Sequence, residues 1–594
     1  MIDHAFLSNG YGSALISKDL NVDWLAVPRF DSSPLFCNLL DESKGCTSTI
    51  KFDTEVAFER SYINHSILLR TNVIKNKEKI ASVIDFMPLA ESALMRIISS
   101  NDSFEVYVKP SFNYCMIVPA VYKEAQGAIF KDPNGKQALE FKYVWNSKVE
   151  EKTSYSWKFY PGKGYLLFLY SADVGYGLFS KKSKVYSIPS EAMPAAVSYW
   201  KSLLGNTNIN PPAWATSVFY SSILVILGLM YKPSGALISS PTTSLPEIIG
   251  SVRNWDYRYA WVRDSSLAAE TLIKIGYVIK GREILNFLIN VLDPSMKPFN
   301  HTLFTVDGGP PPSEYTADWL SGYNNLRPVR IGNAAHLQIQ LDIEGEFMNA
   351  LSTYYKFTKD KIYLKNVWWA VKSISKYIIK NYNKRDSGIW EERDLPKHYT
   401  HSKVNMWNAL VKAAELAKEL NRSTEADEWK LKADQIKDYI LKNAWNEDVG
   451  SFVRFFGSKD IDASLLVMPI YGLIGIDDDR FLQTFKKIEK ELVKNHLVFR
   501  YKKDFLGSVE YPFGLASYWI AKIKLMQGDY KEAEKYIRKL VSCANDLGLL
   551  GEHIDPVKCE PRGNYPHVFS HIAVLMGIYE LSSESRQIKT FIKN

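Results

Sequence analysis

The strongest constraint in the sequence is a change of hydrophobic period part-way along the chain. Up to about residue 200 the apolar residues fall in short runs: SALIS, VDWLAVP, SILLRTNVI, KIASVIDFMP, SFEVYVKPSF and GYLLFLYS. These are rich in β-branched and aromatic side chains and separated by Gly, Asn, Asp and Lys clusters. Such residues pack well on a pleated surface, so the pattern predicts an antiparallel β-sandwich. The stretch LLGNTNINPPAW, residues 203–214, interrupts the pattern with Gly, Asn and a Pro pair. A boundary placed there gives an N-terminal sandwich over 1–205 and a second domain over 206–594.

Beyond the break the spacing is helical. In HSKVNMWNALVKAAELAKEL, Val404, Trp407, Leu410, Ala414 and Ala417 recur at steps of three or four, with lysines on the other face and Ser402 placed to cap the start. Comparable stretches begin near residues 213, 262, 280, 332, 361, 402, 425, 461, 479, 510, 529 and 565. A dozen helices in alternating order can close as a ring of hairpins, and an open solenoid fits the same pattern.

A chain of 594 residues exceeds one ordinary core, and 46% hydrophobic with 23% charged residues is a soluble globular balance. The formal charge of +8 is spread among acids without a basic block, which argues against nucleic acid as a partner. The run VFYSSILVILGLMY, residues 218–231, is short for a membrane span and holds Ser221, Ser222 and Gly228, so it reads as a buried core helix. Five cysteines (Cys37, Cys46, Cys115, Cys543 and Cys559) form no CxxC pair, and MIDHAFLSNGYG lacks the basic-then-apolar layout of a signal peptide. The expectation is a cytoplasmic protein, in a reducing compartment or indifferent to disulfides, with no membrane partner.

Three segments depart from the helical faces. SVRNWDYRYAWVRDSSLAAETL, residues 251–272, crowds arginines, aspartates, tryptophans and tyrosines together; Asp264 sits where a helix N-cap is favoured. Read plainly, this is a cap with an Arg–Asp network; read functionally, its charged tips hold substrate hydroxyls. GIWEERDLPKHYTHSK delivers Trp390, Glu391 and Glu392 on a loop before a helix. A Glu-Glu step is commonly a solvated helix face, but an indole beside a carboxyl excludes water and offers a flat platform for a sugar ring. LGLLGEHIDPVKCEPRGNYPHVFSHIAVL, residues 547–575, presents Glu552 on another such loop. Hydrolysis of a glycosidic bond needs one carboxyl to protonate the leaving oxygen and one carboxylate to activate water or attack carbon. Rival chemistries fare worse. His567 and His571 are four apart but lack the Glu of a zinc-protease motif, and satisfied buried histidines account for them. DGGPPPS, residues 307–313, lacks the N–H groups a phosphate needs, and no serine lies in a Gly-x-Ser-x-Gly elbow.

These segments, with GSALISKDLNVDWLAVPRFDSSPLF, TTSLPEIIG, RPVRIGNAAHLQIQLDIEGE and GSVEYPFGLASYW, resemble glycoside hydrolase family 15, the glucoamylase family that also contains trehalases. The resemblance runs along nearly the whole chain. It implies an N-terminal β-sandwich followed by an (α/α)6 barrel and an inverting mechanism without metal or organic cofactor. Carried over residue by residue, it implies Glu391 as general acid and Glu552 as general base, and Trp261, Arg263 and Asp264 as the corner holding the terminal glucose. Trp390 and Glu392 fall on the same wall, Arg500 in LVFRY on the active-site arginine, and Tyr257 beside the reacting ring. Two positions differ from the family's pattern: Ala260 stands where Cys is common, and His553 where Glu or Gln is commoner beside the base.

From these roles the acid must stay protonated at the working pH, which Trp390 and anionic Glu392 would favour. Arg500 and Arg263 are expected to keep Glu392 and Asp264 ionised, and Glu552 is expected to stay charged. The leading expectation is a glucoamylase-type enzyme releasing β-glucose from maltooligosaccharides or starch and glycogen fragments. A trehalase sharing the same carboxylates is the second reading, since selectivity would lie in loops such as 306–325. A non-catalytic glucan-binding protein, from a different class, is the third; homo-oligomerisation stays open. No carbohydrate-binding module is recognised after the barrel, so raw starch is not the expected target.

Overall fold

The structure, a computed structural model, describes residues 2–89, 91–172, 189–293, 295 and 297–593, with side chains of the last helix described to residue 582. Its first part is two antiparallel sheets. The seven-stranded sheet runs from His4–Ser8 through Ser13–Ser17, Val22–Ala26, Ser48–Phe52, Phe104–Val108 and Ser156–Phe159 to Val149–Thr153. The eight-stranded sheet runs from Ala120–Glu124 to Ala57–Tyr62, with Gln137–Trp145 and Gly162–Ala172 near its centre. Alternation sets the inward face: Ile50 and Phe52 pair with Val106 and Phe104, all buried. The two sheets meet through aromatic rings, Phe141 on Trp157 at 4.7 Å and Trp145 on Phe159 at 5.3 Å. This is the sandwich that the period-two runs predict.

The second part is a closed double ring of helices. The helices Val262–Lys274, Ile343–Thr358 and Thr400–Glu419 contact one another in sequence, as do Gly514–Met526 and Val568–Lys593. Between the third and fourth of these, a 3-10 turn Ala463–Leu466 running into Val467–Ile470 fills the sixth inner place, and the last helix returns onto the first. Around them stand Thr216–Gly228, Val278–Asn290, Trp368–Asn381, Ser423–Ala444, Asp479–Leu492 and Tyr530–Ser542. The open solenoid is thereby excluded. Composition explains the layering. The outer helix Asp479–Leu492 buries only Phe481, Thr484, Phe485, Ile488 and Leu492, one stripe, whereas Gly514–Met526 is buried almost all round.

Several local expectations need correction. The start near 332 is a 3-10 turn, Ala334–Leu337, and the helix proper begins at Ile343. The helix Pro189–Leu204 precedes the break at 203–214 and packs on Thr216–Gly228, which is the buried helix predicted over the apolar run. Ser402 is not a cap: the helix starts at Thr400, and Ser402 Oγ donates to Asp386 Oδ2 at 2.6 Å. Nor is the chain indifferent to disulfides, since Cys543 and Cys559 are bonded. Among the described residues no helix is long and apolar enough to cross a membrane.

The six inner helices present their N-terminal ends to one end of the ring. Their orphan N–H groups and aligned peptide dipoles favour negative charge there. Loops of the sandwich brace that end: Arg258 donates to Ser32 O and to Tyr114 Oη, and Ser321 N donates to Asp41 Oδ2.

Candidate active site

Each lead-in to an inner helix delivers side chains to the same place. Trp261 ends a two-residue strand paired with Leu303–Phe304 and is itself the N-cap of Val262–Lys274. That puts Arg263 and Asp264 in the first turn rather than Asp264 at the cap, correcting the expected capping role. Asp264 Oδ1 instead accepts from Ser239 Oγ at 3.0 Å. The next lead-in supplies Gln340 and Asp342, the third Trp390 to Glu392, the fourth Asp462, the fifth Arg500, and the last Glu552 and His567.

Glu391 and Glu552 both line one cavity with about 480 Å³ of empty space, together with Tyr257, Trp261, Asp264 and Arg500. Glu391 is held in left-handed backbone, φ +58°, a conformation that a glutamate adopts only when its surroundings impose it. Three donors converge on one of its oxygens, Oε1: Trp261 Nε1 at 2.7 Å, Gln340 Nε2 at 3.2 Å and Arg263 Nη1 at 3.3 Å. Arg263 is fixed in turn by Asp342 Oδ2 at 2.7 Å and by Gln340 Oε1. Neither neighbour expected to act on Glu391 faces its carboxyl. Trp390 Nε1 donates to Asp462 Oδ2 at 2.8 Å, and Glu392 turns to Arg454 and to Lys397 Nζ at 3.2 Å.

Glu552 is buried, and its Oε1 accepts from Tyr257 Oη at 2.9 Å while its Oε2 has no protein partner. His553 Nε2 lies 3.6 Å from Glu552 and 3.4 Å from Glu247, whose Oε2 also accepts from Arg500 Nη2 at 2.9 Å. Burial and then the Glu247 charge push the Glu552 carboxyl up, with His553 and Arg500 opposing. The expectation of a plainly charged base is therefore modified. Burial works against Glu247 too, but Arg500 and His553 hold it well below the usual carboxylate range. Burial likewise pushes Asp264 up to about 7, so Arg263, spent on Asp342, Gln340 and Glu391, does not hold it at an ordinary value. The second pairing foreseen for the arginines also differs: Arg500 holds Glu247, and Arg454 holds Glu392. Glu247, Glu552 and His553 offer ligand atoms within 4.8 Å of one another, the spacing of a cation site, but Arg500 already supplies the positive charge there.

All nine predicted residues except Glu392 line the first cavity. Glu392 lines a second that shares Tyr257, Trp390, Glu391 and Arg500 with the first. It is lined further by Trp255, whose ring is contacted by the guanidinium groups of Arg393 at 4.0 Å and Arg330 at 4.4 Å, and by the Arg253–Asp504 ion pair. Sequence reasoning passed over Glu247, Gln340 and Asp342, although TTSLPEIIG and RPVRIGNAAHLQIQLDIEGE contain them. It set His567 aside as a buried histidine; burial does keep it neutral, but it lines the cavity with its ring 5.2 Å from Tyr257. His571 is satisfied as expected, by Ser222 Oγ at 2.9 Å and the Leu550 N–H.

Comparison with known proteins identifies the family and the fold. The model of glycosyl hydrolases family 15 matches residues 214–579, and that of a trehalase-like N-terminal region matches residues 2–136. Trehalase 2 of Sulfolobus acidocaldarius is 44% identical over 98% of this chain and 99% of its own length. The trehalase of Thermoplasma volcanium is 31% identical over 96% of this chain and 92% of its own. Among solved structures, a bacterial glucoamylase complexed with acarbose superposes with a TM-score of 0.72 over 97% of this chain and 93% of that one, at 13% identity. That likeness is one of fold, a β-sheet domain followed by an (α/α)6 barrel.

Proposed function

The chain belongs to glycosyl hydrolase family 15 and is a glycoside hydrolase, and from that premise we propose that it cleaves α,α-trehalose with inversion at one anomeric carbon. The observation that carries the choice of substrate is the pair of adjoining cavities with Glu391 in their common wall. Glu391 in the common wall stands where it can protonate a bond joining a ring in one cavity to a ring in the other. Full-length identity to proteins named trehalase supports the same reading. The glucoamylase-type activity that leads the sequence reading rests on likeness of fold alone.

In this mechanism one glucosyl ring occupies the first cavity, its hydroxyls held by Asp264 and its apolar side against the Trp261–Tyr257 pair, while Arg263 positions Glu391. The Trp261, Gln340 and Arg263 donors occupy Glu391 Oε1, which leaves Oε2 to carry the proton to the glycosidic oxygen. Glu552 removes a proton from water as the water oxygen bonds to the anomeric carbon from the opposite face. The bond from that carbon to the glycosidic oxygen breaks, and the second glucose leaves with the proton from Glu391. Water ends on the attacked carbon as β-glucose, while the leaving glucose keeps its α configuration. Glu391 finishes as carboxylate and Glu552 protonated, so one proton exchange with solvent resets the pair. Burial suits Glu552 to the base's task, because a carboxylate pushed up by its surroundings is a better proton acceptor once ionised.

Initial rates of glucose release from trehalose and maltotriose, measured in parallel, test this reading. Trehalose is expected to be the better substrate by at least about tenfold in kcat/KM; preference for maltotriose would return the protein to the glucoamylase type.

A further inference from the structure

Three cysteines of the sandwich converge at a place the hydrolytic site does not use. Cys37 lies in the loop between the strands Val22–Ala26 and Ser48–Phe52, Cys46 ends that loop, and Cys115 sits at the tip of the turn closed by the Phe112–Ile117 bridge. Cys37 and Cys46 are buried and Cys115 is partly so. The Cys115 Sγ is 2.7 Å from Cys37 Sγ and 3.0 Å from Cys46 Sγ, and all three sulfurs lie within 4.8 Å of one another. Ser111 Oγ stands beside them, 3.4 Å from Cys115 Sγ and 3.8 Å from Cys37 Sγ.

From this geometry we propose that Cys37, Cys46 and Cys115 form a structural site for a thiophilic cation, zinc, with Ser111 Oγ beside the fourth ligand position. Three facts favour an ion over a disulfide. Pairing two sulfurs leaves the third buried against the bond, whereas an ion uses all three. Ser111 Oγ adds an oxygen donor 3.4 Å from Cys115 Sγ and 3.8 Å from Cys37 Sγ, which a bond between two sulfurs would leave unused. Third, Asn113, Tyr114 and Cys115 hold consecutive positive φ values of +47°, +53° and +64°, an unfavourable run for non-glycine residues that brings Cys115 onto the other two. With zinc–sulfur bonds of about 2.3 Å the sulfurs would stand about 3.8 Å apart, so the cluster need open by only about 1 Å. Thiolate sets of this kind select zinc or copper(I) over hard cations.

The site also has a structural consequence. Tyr114, next to Cys115, accepts Arg258 Nη2 at its hydroxyl and Trp319 Nε1 at its carbonyl, both at 2.8 Å. The ion would therefore clamp the loop by which the sandwich braces the segment carrying Tyr257.

The test uses the full chain, purified without chelator and assayed for zinc by mass spectrometry, then exchanged into cobalt(II). The expected result is one ion per chain and a sulfur-to-cobalt charge-transfer absorption, which Glu247, Glu552 and His553 cannot produce. Cys115→Ser should lose the absorption and bind the ion at least about tenfold more weakly. If that variant does not fold, alkylation of the native chain decides, with three thiols protected until the metal is chelated. Reduced thiols that neither bind cobalt nor gain protection overturn the proposal, as does a disulfide between any two of the three.

Discussion

Gly563 stands behind the proposed base, and replacing it by alanine perturbs that residue alone in a calculable way. It lies at φ +71° just after the short hairpin of His553–Ile554 and Pro561–Arg562. A methyl carbon there would meet Glu552 Oε2 at 2.9 Å and Glu552 Cβ at 3.2 Å. Cβ must give by a few tenths of an ångström and the carboxyl end must rotate away, which together displace the reacting oxygen by up to roughly 1 Å. A misplacement of that size at a reacting group costs about a hundredfold in rate. Left-handed backbone on a non-glycine residue costs a further ~1–2 kcal/mol of stability. Gly528 separates the two effects, since it has φ +81° and no atom within 4 Å of its virtual Cβ. Gly528→Ala should therefore lose about 1–2 kcal/mol in urea unfolding and keep its kcat/KM on trehalose. Gly563→Ala should lose the same stability and about two orders of magnitude in kcat/KM. Activity of Gly563→Ala within about threefold of wild type, with folding intact, would refute the placement of Glu552 as base.

Glu391→Gln and Glu552→Gln should each fold normally and lose about 10²- to 10⁴-fold in kcat, read by initial rates with circular dichroism as the folding control. Glu247→Gln should move the acid limb of kcat/KM to lower pH. The base works only when ionised, so the rate falls as pH drops through a pKa that burial and Glu247 raise above the ordinary 4.5; removing the Glu247 charge lowers it. An acid limb that stays put or rises would contradict that sign. Arg454→Leu should destabilise the fold by about 3–5 kcal/mol in denaturant titration, because Glu392, only 5% exposed, keeps a buried charge with Lys397 as the remaining cation among the described residues.

What was legible in the sequence follows from the range of the physics involved. The sandwich showed because Phe104, Val106 and Val108 obey a two-residue period that depends on near neighbours, and helices such as Thr400–Glu419 because their apolar residues recur every three or four residues. Two inner positions were harder to bound: Gly514–Met526 is buried on nearly every side, so its pattern carries no stripe, and Ala463–Leu466 is a 3-10 turn that lacks helical period. Trp261, Arg263, Glu391 and Glu552 were visible as dense polar-aromatic segments. Their partners were not, because Arg500 and Glu247 are 253 residues apart and Arg454 and Glu392 are 62 apart. Nothing local marks Glu391 as left-handed either; the turn from Gly388 imposes it.

The central claim is inversion on trehalose by this carboxyl pair, and proton NMR of the first products tests it most directly. Enzyme at high concentration, with spectra taken before mutarotation, should release α- and β-glucose in equal amounts from trehalose. Release of α-glucose alone would mean retention and a different use of the two glutamates. Uncleaved trehalose, with β-glucose appearing from maltotriose, would keep the mechanism and contradict the substrate.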